Sequence, residues 1–198
     1  MKRIGICVLL LFASALLLPA QDFYCDVGMG FGTASSKVDG KKVSDNFENS
    51  NFSDSVIDFG FKVGSGPLLD VPVYIIFEFA GVVHFLDDGD YFVTLSSYLI
   101  GPGFIYYPTR MLQLALSFGY SFIANATDLS AANFGSSRSG IAWDFSIALD
   151  LGKYYSSSCL VGVKYFGSSN VLKASNETQL TNMIGIFIRY TYRQKLFY

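Results

Sequence analysis

The run from Ile141 to Leu151 constrains the fold more than any other part of this chain. Ile141, Trp143, Phe145, Ile147, Leu149 and Leu151 alternate with Ala142, Asp144, Ser146, Ala148 and Asp150. A period of two puts the bulky set on one face of a strand and the small, polar set on the other. Strands of soluble domains have about five or six residues. This one has the roughly 9–11 that a tilted strand needs to cross a bilayer.

The pattern recurs. Alternating segments can be drawn over 23–34, 53–64, 71–85, 91–107, 112–123, 141–151, 159–166 and 179–198. Phe23, Cys25, Val27, Met29 and Phe31 oppose Tyr24, Asp26, Gly28, Gly30 and Gly32 in the first. Leu112, Leu114, Leu116, Phe118, Tyr120 and Phe122 oppose Gln113, Ala115, Ser117, Gly119 and Ser121 in the fifth. In the fourth, Val93, Leu95 and Leu99 take the outward parity and Tyr98 the inward one. Gly101-Pro102-Gly103 interrupts that strand, and a proline without a donor predicts a bulge there. Connections at 65–70, 87–90, 108–111 and 152–157 are short, and those at 35–52, 124–138 and 167–178 are longer and polar. This is the layout of an all-β, eight-stranded, antiparallel transmembrane up-and-down β-barrel.

Which parity is enclosed decides the environment. A soluble barrel turns its polar parity to water and its greasy parity inward, as a lipocalin-like carrier would. Here the polar parity also carries many glycines, which weaken an exposed strand but make room in a crowded lumen for Tyr24, Tyr74, Tyr98 and Phe187. The same parity holds both signs of charge. Asp26, Asp58, Glu78 and Asp144 can meet Lys62, Lys164, Arg189 and Arg193, with Glu78 and Asp144 placed to pair with Lys164 or Arg189 near mid-height. An enclosed charge is costly unless paired, so a mixed network suits a filled lumen. Its expected role is a structural plug rather than a selectivity filter or proton path.

Composition agrees. The chain is 51% hydrophobic, 17% aromatic and 15% charged, as lipid-facing strands with aromatic girdles require. A net charge of −2 gives no basic footprint, so nucleic acid is not an expected partner. Lys2-Arg3, the apolar run Ile4–Leu18 and Leu18-Pro19-Ala20 have the form of a signal peptide over residues 1–20, leaving 21–198 as the barrel domain. Cys25 and Cys159 fall on the first and seventh strands with the last between them. Two strand spacings are about 9.6 Å, beyond disulfide reach. No CxxC or Cys/His spacing suggests a metal, and no cofactor is expected.

The closing segment Ile184–Tyr198 ends on an aromatic, and Ile188, Tyr190, Tyr192, Leu196 and Tyr198 share one parity. This resembles the C-terminal strand recognised by the outer-membrane assembly machinery. With the size, strand count and leader, the whole mature chain resembles the small OmpX/OmpW type of barrel. The resemblance implies residence in the cell outer membrane, bilayer lipid and the assembly machinery as partners, and uptake of small, hydrophobic solutes.

Three functions follow as candidates. The first is a non-enzymatic barrel, structural or a narrow conduit; a wide pore needs about twice as many strands. The second is a surface adhesin or receptor for host molecules, acting through loops 35–52, 124–138 and 167–178, the first of which carries Lys37, Lys41, Lys42, Asp39, Asp45 and Glu48. The third is a lipid-modifying enzyme, which needs a nucleophile and a base within hydrogen-bond reach. His84 is the sole histidine, read as an inward rim residue near Asp87 and Asp88, and no G-x-S-x-G is present. The expectation is no enzymatic activity, and none lost on His84→Ala.

Overall fold

The structure, a computed structural model, describes residues 22–46, 53–68, 71–87, 89, 92–127, 137–152, 156–173 and 175–194. The expected signal peptide at 1–20 lies outside the described residues. Eight long strands carry the fold: β1 Asp22–Val38, β2 Ser53–Gly66, β3 Val73–Asp87, β4 Phe92–Thr109, β5 Leu112–Ile123, β6 Ser137–Asp150, β7 Ser157–Leu172 and β8 Thr178–Arg193. Each pairs antiparallel with its sequence neighbours, and β8 returns to β1 from Tyr24↔Arg193 to Val38↔Gln179. The sheet is therefore a closed ring whose long strands leave no open edge. Two-residue ribbons, Lys41–Lys42 and Ala126–Thr127, extend it at β1 and β4.

The polar parity is the enclosed one. Tyr24, Asp26, Asp58, Lys62, Glu78, Asp144 and Thr191 are buried, whereas Met29, Phe31 and Ile184 are 65%, 64% and 62% exposed. Leu116, Phe118, Tyr120, Ile141, Leu149, Val163, Ile186 and Ile188 join them on the outside. An apolar outer surface of this extent has hydrocarbon as its solvent. An even strand number puts both ends of the barrel wall on the side of the short turns, the periplasmic side in such barrels.

Strand four departs from its sequence reading. Its register with β3 runs unbroken from Val73↔Tyr106 to Asp87↔Phe92, so Gly101-Pro102-Gly103 forms no bulge. Pro102 points outward and is exposed. The β4–β5 ladder has no bridge at Gly101 or Pro102 but resumes in the same register at Gly103↔Ser117. The irregularity falls instead between Tyr106 and Thr109. Unbroken alternation reverses the expected facing: Val93, Leu95 and Leu99 are buried in the lumen. Tyr98 lies on the outside, stacked on Phe122 at 4.8 Å and beside Phe79 at 6.2 Å. Two polar-looking stretches also prolong strands rather than loops. β1 runs on through Ser35–Val38, and β7 runs to Leu172 rather than ending at Phe166, so the expected loop 167–178 shrinks to 173–177. Gly167-Ser168-Ser169-Asn170 falls in the polar stretch expected as the loop 167–178. In the barrel Ser168 and Asn170 are lumen residues, and Asn170 Nδ2 donates to Ser121 Oγ at 3.0 Å.

Gly167 faces outward opposite Trp143, whose ring covers it: a Cβ there would meet Trp143 Cε2 at 2.4 Å. Phe59 covers Gly81 in the same way. An aromatic laid on a cross-strand glycine supplies the packing that the glycine lacks. Because Trp143 is the sole tryptophan and lies on the outer wall, lipids brominated on their acyl chains should quench most of the tryptophan fluorescence of the folded protein. Unchanged emission would place Trp143 away from lipid.

Candidate functional site: a sealed charged layer and a polar cluster at the rim

Alternation on facing strands brings the inward charges to one level. Lys62 lies opposite Asp26 on one side and Glu78 on the other in the β1–β2–β3 register. Lys164 Nζ, from β7, bridges Asp58 Oδ2 at 2.9 Å and Asp144 Oδ2 at 2.7 Å. Lys62 Nζ and Arg189 Nη2 stand 3.5 and 3.9 Å from Glu78 Oε1, ion pairs wider than hydrogen bonds. Arg189 shares this buried level with Asp26, Asp58, Glu78 and Asp144. Asp26 accepts a 2.8 Å hydrogen bond from Tyr24 Oη. All these side chains are essentially fully buried. Arg193 lies lower, 2.8 Å from Asp150 Oδ2, and Ser158 Oγ also donates to Asp150. Asp150, on the polar parity of β6, stands outside the charge set expected from sequence. Its partner is settled only where β6, β7 and β8 meet.

Glycine makes this layer possible. The Arg189 stem passes so close to Gly28 that a Cβ there would meet Arg189 Cγ at 2.5 Å and the Ile188 carbonyl at 2.2 Å. The guanidinium then lies over Gly60, where a Cβ would be 3.2 Å from Nη2. The Arg189 guanidinium also stacks on Phe187, 4.4 Å from the ring centroid, a contact strengthened by a dry setting.

Apolar layers enclose the charges. Toward the short turns, Tyr24, Tyr74, Ile76, Ile105, Tyr107 and Ala115 pack together. Gln113 Nε2 ties this layer by donating to Tyr24 Oη at 2.9 Å and Tyr107 Oη at 2.7 Å. On the other side, Val56, Ala80, Val82, Leu99, Ala142, Phe166 and Met183 pack together. A third cluster, Val43, Leu86, Val93 and Leu95 with Val38 against it, closes the far end. Val43 comes from a 3₁₀ turn, Val43–Asn46, folded over the opening.

His84 sits between the last two of these layers, and its surroundings differ from the expected ones. It is buried rather than at an open rim, and Asp87 points outward from the barrel; Asp88 lies outside the described residues. His84 Nδ1 is 3.0 Å from Ser36 Oγ, and Nε2 is 2.8 Å from Asp54 Oδ1. Ser36, on β1, falls in the expected loop 35–52, and Asp54, on β2, at the start of the expected strand 53–64; nothing local marks either as a partner of a histidine on β3. Ser97 Oγ donates to Thr181 Oγ1 at 3.1 Å in the same upper lumen.

Other sequence candidates fall as follows. Ile188, Tyr190 and Tyr192 line the outer face of β8; Leu196 and Tyr198 lie outside the described residues. Cys25 and Cys159 are free thiols on β1 and β7, facing Tyr192 and Tyr190 on either side of β8. Of the loop 35–52, residues 47–52 lie outside the described residues, as do 128–136 of the loop 124–138.

The charged layer yields a direct test. Lys164→Met leaves Asp58 and Asp144 enclosed without their shared cation, which costs about 3–5 kcal/mol. Urea unfolding of the micelle-folded variant should shift by that much. A shift under about 1 kcal/mol would mean that the layer does not hold the barrel together.

No protein-family model matches the sequence, and no curated protein does either. Solved structures do match. Ail, the attachment invasion locus protein of Yersinia pestis, in complex with the heparin analogue sucrose octasulfate, aligns at 14% identity with a TM-score of 0.52, covering 85% of this chain and 98% of that one. A second crystal structure of Ail gives 11% and 0.51 over the same shares. Neisserial surface protein A gives 13% and 0.50, covering 84% of this chain and 95% of its own. Identities this low speak to architecture and leave activity open, enzymatic or not. By fold, then, the chain is an eight-stranded barrel similar to small outer-membrane β-barrels of known structure, Ail and Neisserial surface protein A among them.

Proposed function

We propose that this protein is a plugged, non-conducting barrel of the outer membrane, with a structural wall, a lumen filled by packed side chains, and extracellular loops as its working surface. The observation that carries this is the stacking of the lumen: a tyrosine layer below the charges and an apolar layer above them. An ion or polar solute moving along the axis would have to pass both packed layers and break the Lys164 bridges. The same reading includes export on a leader over 1–20 and recognition of the Ile184–Tyr198 strand by the assembly machinery. Reconstituted in a planar bilayer, the protein should show no resolvable conductance steps. Regular steps that disappear on acidification or on Lys164→Met would favour a narrow conduit.

A specific feature favours surface binding as the work of the loops. β1 ends in a tight hairpin at Val38–Lys41 whose turn residues, Asp39 and Gly40, have φ of 49° and 79°. That is the geometry of a two-residue type I′ turn, which holds its strands rigidly. It fixes Lys37 directly opposite Lys42, with Lys41 exposed beside them. Like charges facing each other destabilise a ribbon unless an anion lies across them. Ail was crystallised with a polysulfated sugar, a ligand of suitable charge for such a ribbon. Heparin-agarose should retain the wild-type protein at low salt and release it as salt rises. The triple variant Lys37→Gln, Lys41→Gln, Lys42→Gln should pass through. Equal retention of the two proteins would remove the hairpin from any binding role.

A further inference from the structure

We propose that Ser36, His84 and Asp54 form a latent serine-hydrolase centre at the extracellular end of the lumen, acting on esters with an apolar acyl group. This goes beyond the plugged-barrel reading and does not rest on it. The warrant is a hydrogen-bonded line through three strands: Ser36 Oγ to His84 Nδ1 at 3.0 Å, and His84 Nε2 to Asp54 Oδ1 at 2.8 Å. A nucleophile in reach of a base, which is itself oriented by a third group, is the arrangement that activates a hydroxyl. A carboxylate accepts only, so His84 Nε2 carries the proton and donates to Asp54, and Nδ1 is left to accept from the Ser36 hydroxyl. The tautomer that proton abstraction requires is thus the one these partners select.

The surroundings match the same chemistry. Ser36 and His84 are 3% and 2% exposed, so the pair is shielded from water. Two residues above them on the same inner faces stand Val38 and Leu86, which with Val93 and Leu95 wall a space now filled by Val43. Four of these five come from the barrel wall; Val43 alone comes from the 3₁₀ turn. Displacing that turn opens an apolar recess with the Ser36 hydroxyl at its floor, suited to an acyl chain. Asp54 is 42% exposed, so water reaches the cluster from its carboxylate side.

In the first half-reaction, Ser36 Oγ bonds to the ester carbonyl carbon and its proton passes to His84 Nδ1. The carbon–oxygen bond to the alcohol breaks, and the alcohol leaves with that proton. Water then adds to the acyl carbon and gives a proton to Nδ1. The acid departs as Ser36 Oγ takes the proton back. No oxidant, reductant or metal enters. Ser36 and His84 are the catalytic residues and Asp54 is a positioning residue. On this reading the expectation that His84→Ala is silent is reversed.

The test uses the full chain folded in detergent micelles, with folding verified by heat-dependent gel mobility. A fluorophosphonate should label Ser36, located by peptide mass spectrometry, and hydrolysis of p-nitrophenyl butyrate should follow the labelling. Ser36→Ala should abolish the adduct. His84→Gln should slow labelling at least about 100-fold, the lower range for a lost general base. Asp54→Asn should lose labelling while Asp54→Glu, which keeps a carboxylate for Nε2, retains it. Val43→Gly, which empties the recess, should label faster than wild type. The proposal is overturned if wild type and Val43→Gly are both folded and both unlabelled. It is equally overturned if His84→Gln labels at the wild-type rate. Bilayer conductance is independent of either result, so failure here leaves the plugged-barrel reading standing.

Discussion

The closure of β8 onto β1 is the constraint from which the remaining structure follows. In hydrocarbon no water is present to satisfy an unpaired backbone N–H or C=O, and each costs several kcal/mol. Pairing from Tyr24↔Arg193 to Val38↔Gln179 removes the two edges that an eight-stranded sheet would otherwise expose. Once the ring closes, one parity of every strand is enclosed and the other meets lipid. Closure also fixes the bore, which at eight strands is just wide enough for side chains to fill.

That narrow bore explains the composition of the inner face. The largest charged side chain fits because neighbouring strands offer no side chain beside it, as Gly28 and Gly60 do for Arg189. Charge enters as interlocked pairs, with Lys164 shared between Asp58 and Asp144. The layer is thus held both by geometry and by the cost of separating charges away from water. Above and below it, tyrosine and aliphatic layers complete the filling. The body of the barrel is committed to packing, and the extracellular end is where neutral polar groups and loop segments meet.

The same physics accounts for which sequence readings failed. Gly101-Pro102-Gly103 suggests a break, but a barrel wall tolerates a missing ladder bond when the proline faces outward and the opposite ladder stays in register. Gly167-Ser168-Ser169-Asn170 suggests the start of a loop, but small and hydroxylated residues are also what a crowded lumen selects. In an inverted protein, polarity no longer distinguishes loop from core. Tyr98 and Leu99 exchanged faces for this reason: with the interior partly apolar and the exterior aromatic, hydropathy could not assign their parity.

The sequence by itself determined the strand period, the count of eight and, in every strand but β4, the enclosure of the polar parity. Each is written locally, in long alternating segments and in glycines that an exposed strand would not keep. It also determined that Lys62, Lys164 and Arg189 must meet carboxylates, since enclosed charge without a partner is too costly. Which carboxylate each one meets depends on stagger between strands distant in sequence, and only the tertiary structure decided that. The same holds for Asp150 with Arg193, and for Ser36 and Asp54 on either side of His84. Register around a closed ring is a property of all eight strands together, so no single segment carries it.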